Sequence, residues 1–599
     1  MRGRLVPYAV AAVVTAVVLA PLAMPGYALR YDMVFVPRQP LSWEMIAPAD
    51  ALPRAVPLDA LVSIANVAVP GWLLQRTALV AVVFLAALGA FRLVPTGRTG
   101  TRVVAALAFA WTPFLAERLL LGQWALLLAY AAMPWLVAAV RDLRAGRPGA
   151  LPRLVLAAAP AAVTPTGGLI ALATVAVLLP LRSRATATAL ASVVALNAPW
   201  LVAALTTTAG GRSDPDGVAA FAARAENWAG SWTALAGTGG IWNAQTVPAS
   251  RASPLAPLVT VLLLAAAVAG LRELRRRWPG GADRLLVLAA GAFLLAAAGS
   301  GPPAPALGWL VGHVPGAGLL RDGQKFLVPY ALTIALGFAL GVERLADRLA
   351  RRFDPSAGRL LLAGAVLLPI ASLPDLAFGG AGALRPVRYP ADWDVVAARV
   401  AAAPGEVLSL PFEGYQRYAW ARDVVVRDPA PRYLDAPVLM NDALRVGTVT
   451  VDGESPRAAR AREHLEAGRP AADLGVRWVL VRRGPVGKAP GDPPASVLTG
   501  LRLAYAGSDL RLWENPAPAA AGPPDAGRRA LALAAHLLAG AIVIFAALAV
   551  LRTRRRPWYR PPTHDFEEED PWRGWPRSSS APRSAPSSAS SESSPCSER

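Results

Sequence analysis

Long uncharged apolar runs recur along this chain, each bounded by short arginine-rich segments. ALVAVVFLAALGAF (78–91) and LVTVLLLAAAVAGL (258–271) carry no charged residue. About 20 such residues cross the hydrocarbon core of a bilayer as a helix. In lipid, every backbone N–H and C=O must find its partner within the segment, so helices are the elements to expect. The runs predict about twelve transmembrane helices. Those near 103–116 and 151–164 are short and depend on their neighbours. The bulk composition, 54% hydrophobic and 17% charged, agrees with a polytopic α-helical membrane protein.

The chain starts MRGR and continues LVPYAVAAVVTAVVLAPLAMPGYAL. That apolar stretch is longer than the core of a cleavable signal, so it reads as a retained first helix ending near Leu29. The following loops alternate in charge. Segments 91–102, 141–153, 181–185, 271–284, 343–359 and 552–560, with the N-terminus, hold 26 arginines. The short loops between them hold nine Lys and Arg: Arg30, Arg38, Arg54, Arg118, Arg212, Arg224, Arg251, Arg321 and Lys325. Positively charged loops stay in the cytoplasm, so the bias predicts a multi-pass plasma-membrane protein with both termini cytoplasmic. The same placement accounts for the formal charge of +20 without nucleic acid. No Walker loop, no GxGxxG ahead of a helix and no basic stripe supports a nucleotide or nucleic-acid partner.

Four substantial pieces then face outward: loops 30–68, 206–254 and 301–325, and a polar stretch at 378–527. With the helices of 1–377 as a membrane domain, 378–527 is long enough to be an extracytoplasmic α/β domain. EVLSLPF (406–412) and VRWVLVRR (476–483) read as strands. LRLAYAGSDLRLWEN (501–515) reads as a hairpin turning at Gly507-Ser508-Asp509. A last transmembrane helix covers 528–551. The tail 552–599, acidic and then Ser/Pro-rich from about 561, cannot bury a core and reads as disordered in the cytoplasm.

Metal chemistry has little support in the sequence. The one cysteine, Cys596, lies in the tail, and His313, His464, His536 and His564 form no ligand spacing. Any catalysis falls to carboxylates and cationic side chains. Asp32, in GYALRYDMVFVPRQPL (26–41), would follow the first helix within one turn, at the height of a lipid head group. The loop around it is apolar (Met33, Val34, Phe35, Val36, Trp43, Met45, Ile46), as in a segment lying along the interface. Ionisable groups at membrane depth tend to be functional, although a solvated loop aspartate would look the same. Glu117 and Arg118 sit in the very short second outer loop, as a structural pair or as part of a site. Arg321, Asp322 and Lys325 precede an apolar helix, where cations suit a phosphate and would equally serve as interfacial anchors. Trp228, Trp232, Trp242 and Asn243 offer flat faces and an amide for a sugar, a composition shared with interfacial aromatic belts. Asp392, Asp394, Glu413, Arg417 and Arg427 in the outer domain form no constellation that can be assigned.

Together these features resemble the GT-C superfamily of integral membrane glycosyltransferases, including the actinobacterial arabinofuranosyltransferase-like proteins. The segments ERLLLGQWALLLAYAAMPW (117–135), RDGQKFL (321–327), ADLGVRWVLV (472–481) and LRLWENP (510–516) carry the likeness. The resemblance implies transfer of a sugar from a polyprenyl-phosphate donor to a glycan or glycolipid acceptor in cell-envelope biogenesis. It implies Asp32 as catalytic base and Glu117 as the second-loop acid, with Arg118, Arg321 and Lys325 on the donor phosphate. Many members pair two acidic residues in the first loop. Here Asp32 is flanked by Tyr31 and Met33, which fits a reaction without a metal cofactor. Two other readings stay open: a transporter or flippase of envelope lipids or glycans, and a non-enzymatic assembly protein. Against transport, the chain has no internal repeat, and Asp375 and His536 are the few ionisable groups near helix centres.

Overall fold

The structure, a computed structural model, describes residues 2–180, 182–484, 492–520, 522 and 525–552, all within one compact unit. The tail from 553 lies outside the described residues. Among the described residues, ten helices are long and apolar enough to cross a membrane: Arg4–Ala23, Gly71–Leu93, Thr99–Leu120, Trp124–Arg144, Arg184–Thr206, Ala256–Arg277, Gly281–Ala298, Gly323–Arg352, Pro355–Ser372 and Ala526–Arg552. Two shorter apolar helices, Ala150–Ala162 and Pro165–Leu178, complete the set. Two Thr-Pro pairs punctuate it. Thr112 accepts from the backbone N–H of Leu115 with Pro113 following, and Thr164 accepts from Gly167 with Pro165 following. A hydroxyl cap and a proline in the first helical position start a helix and leave two fewer donors unmet at its first turn.

The first helix differs from expectation. It passes into a 3₁₀ turn at Ala20–Ala23 and stops there, not near Leu29. Pro25 has no N–H to continue it, and Gly26 takes a φ of +123°. A Cβ on Gly26 would lie 2.7 Å from the carbonyl oxygen of Val387. Residues 27–30 leave the helix instead: Tyr27 pairs with Val387, and the Gln75 side chain bonds both the N–H and the C=O of Ala28. The first four of the apolar residues that follow are covered by protein, while Trp43 is exposed. Met33, Val34, Phe35 and Val36 are buried, with Phe35 4.9 Å from the ring of Trp124. They form a floor that holds Asp32 in place.

At the other end of the bundle three arginine-rich segments meet. Arg98 pairs with Asp347, Arg277 with Glu343 at 2.7 Å, and Thr96 bonds Glu343 at 2.8 Å. Segments 91–102, 271–284 and 343–359 thus share one end of the structure, as their common charge suggests.

The C-terminal region carries a five-stranded sheet ordered β4-β1-β7-β9-β8. Its strands are β1 (Val407–Leu410), β4 (Val438–Leu439), β7 (Trp478–Arg482), β8 (Arg502–Ala506) and β9 (Leu510–Glu514). β1 runs parallel to both β4 and β7, and the β8–β9 hairpin is antiparallel, as 501–515 suggested. β1 and β7 are buried throughout, which matches their near-continuous apolar runs. Two hairpins stand off this sheet: β2 (Tyr415–Tyr418) with β3 (Val424–Arg427), and β5 (Leu444–Val446) with β6 (Val449–Val451). The first of them reaches the Asp32 loop.

Candidate active site

Asp32 sits on a tight turn. Arg30 and Met33 exchange backbone hydrogen bonds, and Tyr31 between them has a φ of 42°. The turn is pinned from two sides. The Asp32 N–H donates to the carbonyl of Leu121, and Gly122 follows with a φ of +79°. A Cβ there would lie 2.3 Å from both the Arg30 oxygen and the Met33 nitrogen, so only glycine permits this approach. On the other side, Tyr31 N–H donates to Val425 and Arg427 N–H donates to Tyr31, a single parallel bridge that ties the loop to β3.

The Asp32 carboxylate faces a cavity of about 290 Å³. One oxygen accepts from the Tyr415 hydroxyl and the other from Gln123 Nε2 at 3.3 Å. Five cationic side chains line the same cavity: Arg54, Arg321, Lys325, Arg427 and Arg432. Four of them are held by carboxylates. Arg54 and Arg321 share Glu454, the latter at 3.0 Å; Lys325 lies 3.4 Å from Asp322; Arg432 lies 3.2 Å from Asp59. Arg427 makes no ion pair among the described residues. Burial pulls its pKa down, but Tyr415, Asp32, Asp59 and Asp428 outweigh that, and it stands above the ordinary arginine value. Burial and then Asp32 push the Tyr415 hydroxyl up, so it stays a donor. Burial and Arg54 pull the Arg321 guanidinium down against the opposing pull of Glu454.

Behind this wall lies a buried polar layer. Arg118 is 0% exposed and meets Asp322 with two bonds of 3.0 Å, Gln123 with one of 2.6 Å, and Gln324. Burial alone would raise the Asp322 pKa, but Arg118 and Lys325 hold it down at about 2. Glu117, also 0% exposed, accepts from the Ile241 N–H and from Gln324 Nε2, both at 3.2 Å.

Of the residues singled out from sequence, Asp32, Arg321, Asp322, Lys325 and Trp242 line the cavity. Glu117 and Arg118 do not. They stand one layer back, and their partners Gln123, Asp322 and Gln324 connect them to its wall. Trp228 and Trp232 do not line it either. Trp228 is 70% exposed and donates to the Pro254 carbonyl at 3.0 Å, and Trp232 lies edge-on to Phe293. Asn243 caps a 3₁₀ turn by accepting from Gln245 N–H.

Sequence reasoning missed Arg54, Tyr415, Arg427 and Arg432 as site residues. Tyr415 and Arg427 are cross-strand partners in β2–β3. The hairpin is anchored by Arg482 of β7, itself fully buried. Arg482 donates to the Tyr418 hydroxyl at 2.7 Å and to the carbonyls of Pro411 and Glu413, and its Nε lies 3.5 Å from Asp428.

The ten apolar helices and this arrangement define a multi-pass helical membrane protein with a polar, cation-lined cavity capped by a sheet-bearing region. The fold is similar to that of arabinofuranosyltransferase AftD from Mycobacteria. One structure of that protein matches with 17% identity and a TM-score of 0.52, covering 86% of this chain and 40% of the other. A structure of its R1389S mutant matches with 17% identity and a TM-score of 0.54, covering 86% and 42%. The likeness expected from sequence is therefore present at the level of the fold. The chain spans about two fifths of the length of those proteins. No protein-family model and no curated protein sequence matches it.

Proposed function

We propose that the protein is a GT-C-type membrane glycosyltransferase of the cell envelope, moving a sugar from a polyprenyl-phosphate donor to a glycan or glycolipid acceptor at the outer face. The observation that carries this reading is Asp32, held by Tyr415 and Gln123, in a cavity that five cationic side chains line together with Asp322, Asp442 and Asp452. Asp32 takes the proton of the acceptor hydroxyl. The acceptor oxygen bonds to the anomeric carbon as the bond from that carbon to the phosphate oxygen breaks, and the electron pair leaves with the polyprenyl phosphate. Arg321, Lys325 and Arg427 meet the charge that grows on the phosphate, the task a metal ion performs elsewhere. The Tyr415 and Gln123 bonds aim the carboxylate.

In this reading Arg118 does not touch the phosphate. Its four bonds are spent on Asp322, Gln123 and Gln324, and through them it positions Lys325 and the Asp32 partner Gln123. Glu117 orients Gln324 from behind. The test is Asp32→Asn, which keeps the shape of the side chain and removes its basicity. Sugar transfer from a polyprenyl-phosphate donor in proteoliposomes should stop, with expression and membrane insertion unchanged. Full transfer by that variant would remove the mechanism.

A further inference from the structure

A second cleft lies away from the Asp32 cavity, among the helices. Ala256–Arg277 and Pro355–Ser372 flank it, both packing against Val328–Arg352, which forms its back wall with Thr99–Ala110. Above it the Ser250 N–H donates to Asp375 at 2.6 Å and ties the two flanking elements together. The walls are apolar, with Leu263, Ile334 and Phe338 among them. At about 70 Å³ it is much narrower than the cavity at Asp32. It suits a single hydrocarbon chain and not a sugar.

One end of this slot holds an arginine whose Nε side is paired with a buried carboxylate. Arg251 lines it and is only 5% exposed. Its Nε donates to Glu226 at 2.8 Å, and the other Glu226 oxygen accepts from Gly240 N–H. The two terminal nitrogens have no hydrogen-bond partner among the described residues, and neither belongs to the buried, unsatisfied atoms. They are therefore open to the cleft. Gly237, another lining residue, stands against Arg251 Nη2 and Thr260 Oγ1. A guanidinium with free donors beside apolar walls is costly at membrane depth unless a ligand supplies acceptors. A phosphate does so with two parallel bonds.

We propose that this cleft is a binding site for an anionic phospholipid, with its phosphate on the terminal nitrogens of Arg251 and one acyl chain against Leu263, Ile334 and Phe338. The source is the surrounding bilayer. The outward residues of the two flanking helices, Leu258, Val261, Leu262 and Leu367, are all more than half exposed and have only lipid to face. The site is distinct from the Asp32 cavity and does not require the transfer reaction.

The test uses the full chain in nanodiscs of phosphatidylcholine with a minority of phosphatidylglycerol, followed by mild delipidation and native mass spectrometry. Wild type should retain one phosphatidylglycerol. Arg251→Gln should lose retention about tenfold, equivalent to about 1.4 kcal/mol. Leu263→Trp, which fills the slot and leaves the Arg251–Glu226 pair intact, should lose it too, so a folding defect in the first variant does not end the test. Asp32→Asn should retain the lipid as wild type does, which separates this site from the proposed reaction. Retention by both slot variants would overturn the proposal. So would equal retention of phosphatidylcholine, or loss of the lipid in Asp32→Asn.

Discussion

Replacing Arg427 with Gln should damage catalysis more than replacing any other cation of the cavity. Arg54 and Arg321 divide one carboxylate, Lys325 leans on Asp322 and Arg432 on Asp59, so part of each charge is already answered. Arg427 makes no ion pair among the described residues, feels Asp32, Asp59 and Asp428 only at longer range, and stands with Asp32 and Tyr415 at one wall. A single preorganised donor aimed at developing charge in a dry site contributes on the order of 10²–10³ in kcat, or about 2.7–4 kcal/mol. Arg427→Gln should reach that range. Arg432→Gln should cost about tenfold, because Asp59 has already drawn off much of its field. The assay is initial-rate transfer of a labelled sugar from a polyprenyl-phosphate donor in proteoliposomes, with kcat and KM separated. The loss should fall on kcat, since the charge to be met grows only as the bond to phosphate breaks. An Arg427→Gln enzyme within threefold of wild type would refute the reasoning, as would a larger loss from Arg432→Gln.

Gly122→Val forces a Cβ into the Asp32 turn, and displacement of a catalytic group by about 1 Å costs on the order of 10²-fold. Transfer should fall by that order with insertion unaffected, while Gly97→Val, whose Cβ would meet nothing within 4 Å, should be silent in the same assay. Asp322 makes a pH prediction. Its pKa is depressed from 3.8 to about 2, so its contribution to stability is complete above the unfolded value and disappears as pH falls through the folded one. That contribution is roughly 2 kcal/mol. Thermal midpoints in detergent should drop between pH 4 and 2 for wild type, and the drop should be smaller in Asp322→Asn; equal slopes would show that Asp322 is not depressed.

The helical plan was legible because it depends on composition alone. A run without charge crosses lipid as a helix whatever its neighbours are, and arginines mark where runs end. Boundaries were harder. The apolar letters of residues 24–36 resemble the helix before them, yet Pro25, Gly26 and the pull of Gln75 and Val387 take the chain out of the helix. Apolar letters also do not say whether lipid or protein covers a residue, so Met33 to Val36 read as interfacial when they are buried within the protein, with Phe35 against Trp124 and Met33 close to Gly122.

The site was half legible for a related reason. Asp32, Arg321 and Lys325 stand out because a charge beside an apolar run is conspicuous. Tyr415 and Arg427 lie in a polar region where charges are ordinary, and they act at Asp32 only through a hairpin register that no spacing announces. That register has a mechanical consequence. Tyr415 and Arg427 face each other across β2–β3, and the same β3 holds the Asp32 loop by a parallel bridge at Tyr31. Aspartate, tyrosine and arginine are therefore fixed relative to one another by backbone hydrogen bonds, and Arg482 fixes the hairpin to the buried centre of the sheet. In the proposed reaction the sheet-bearing region is thus one wall of the site. In that reaction it does more than hold the acceptor, because Tyr415, which donates to Asp32, belongs to it.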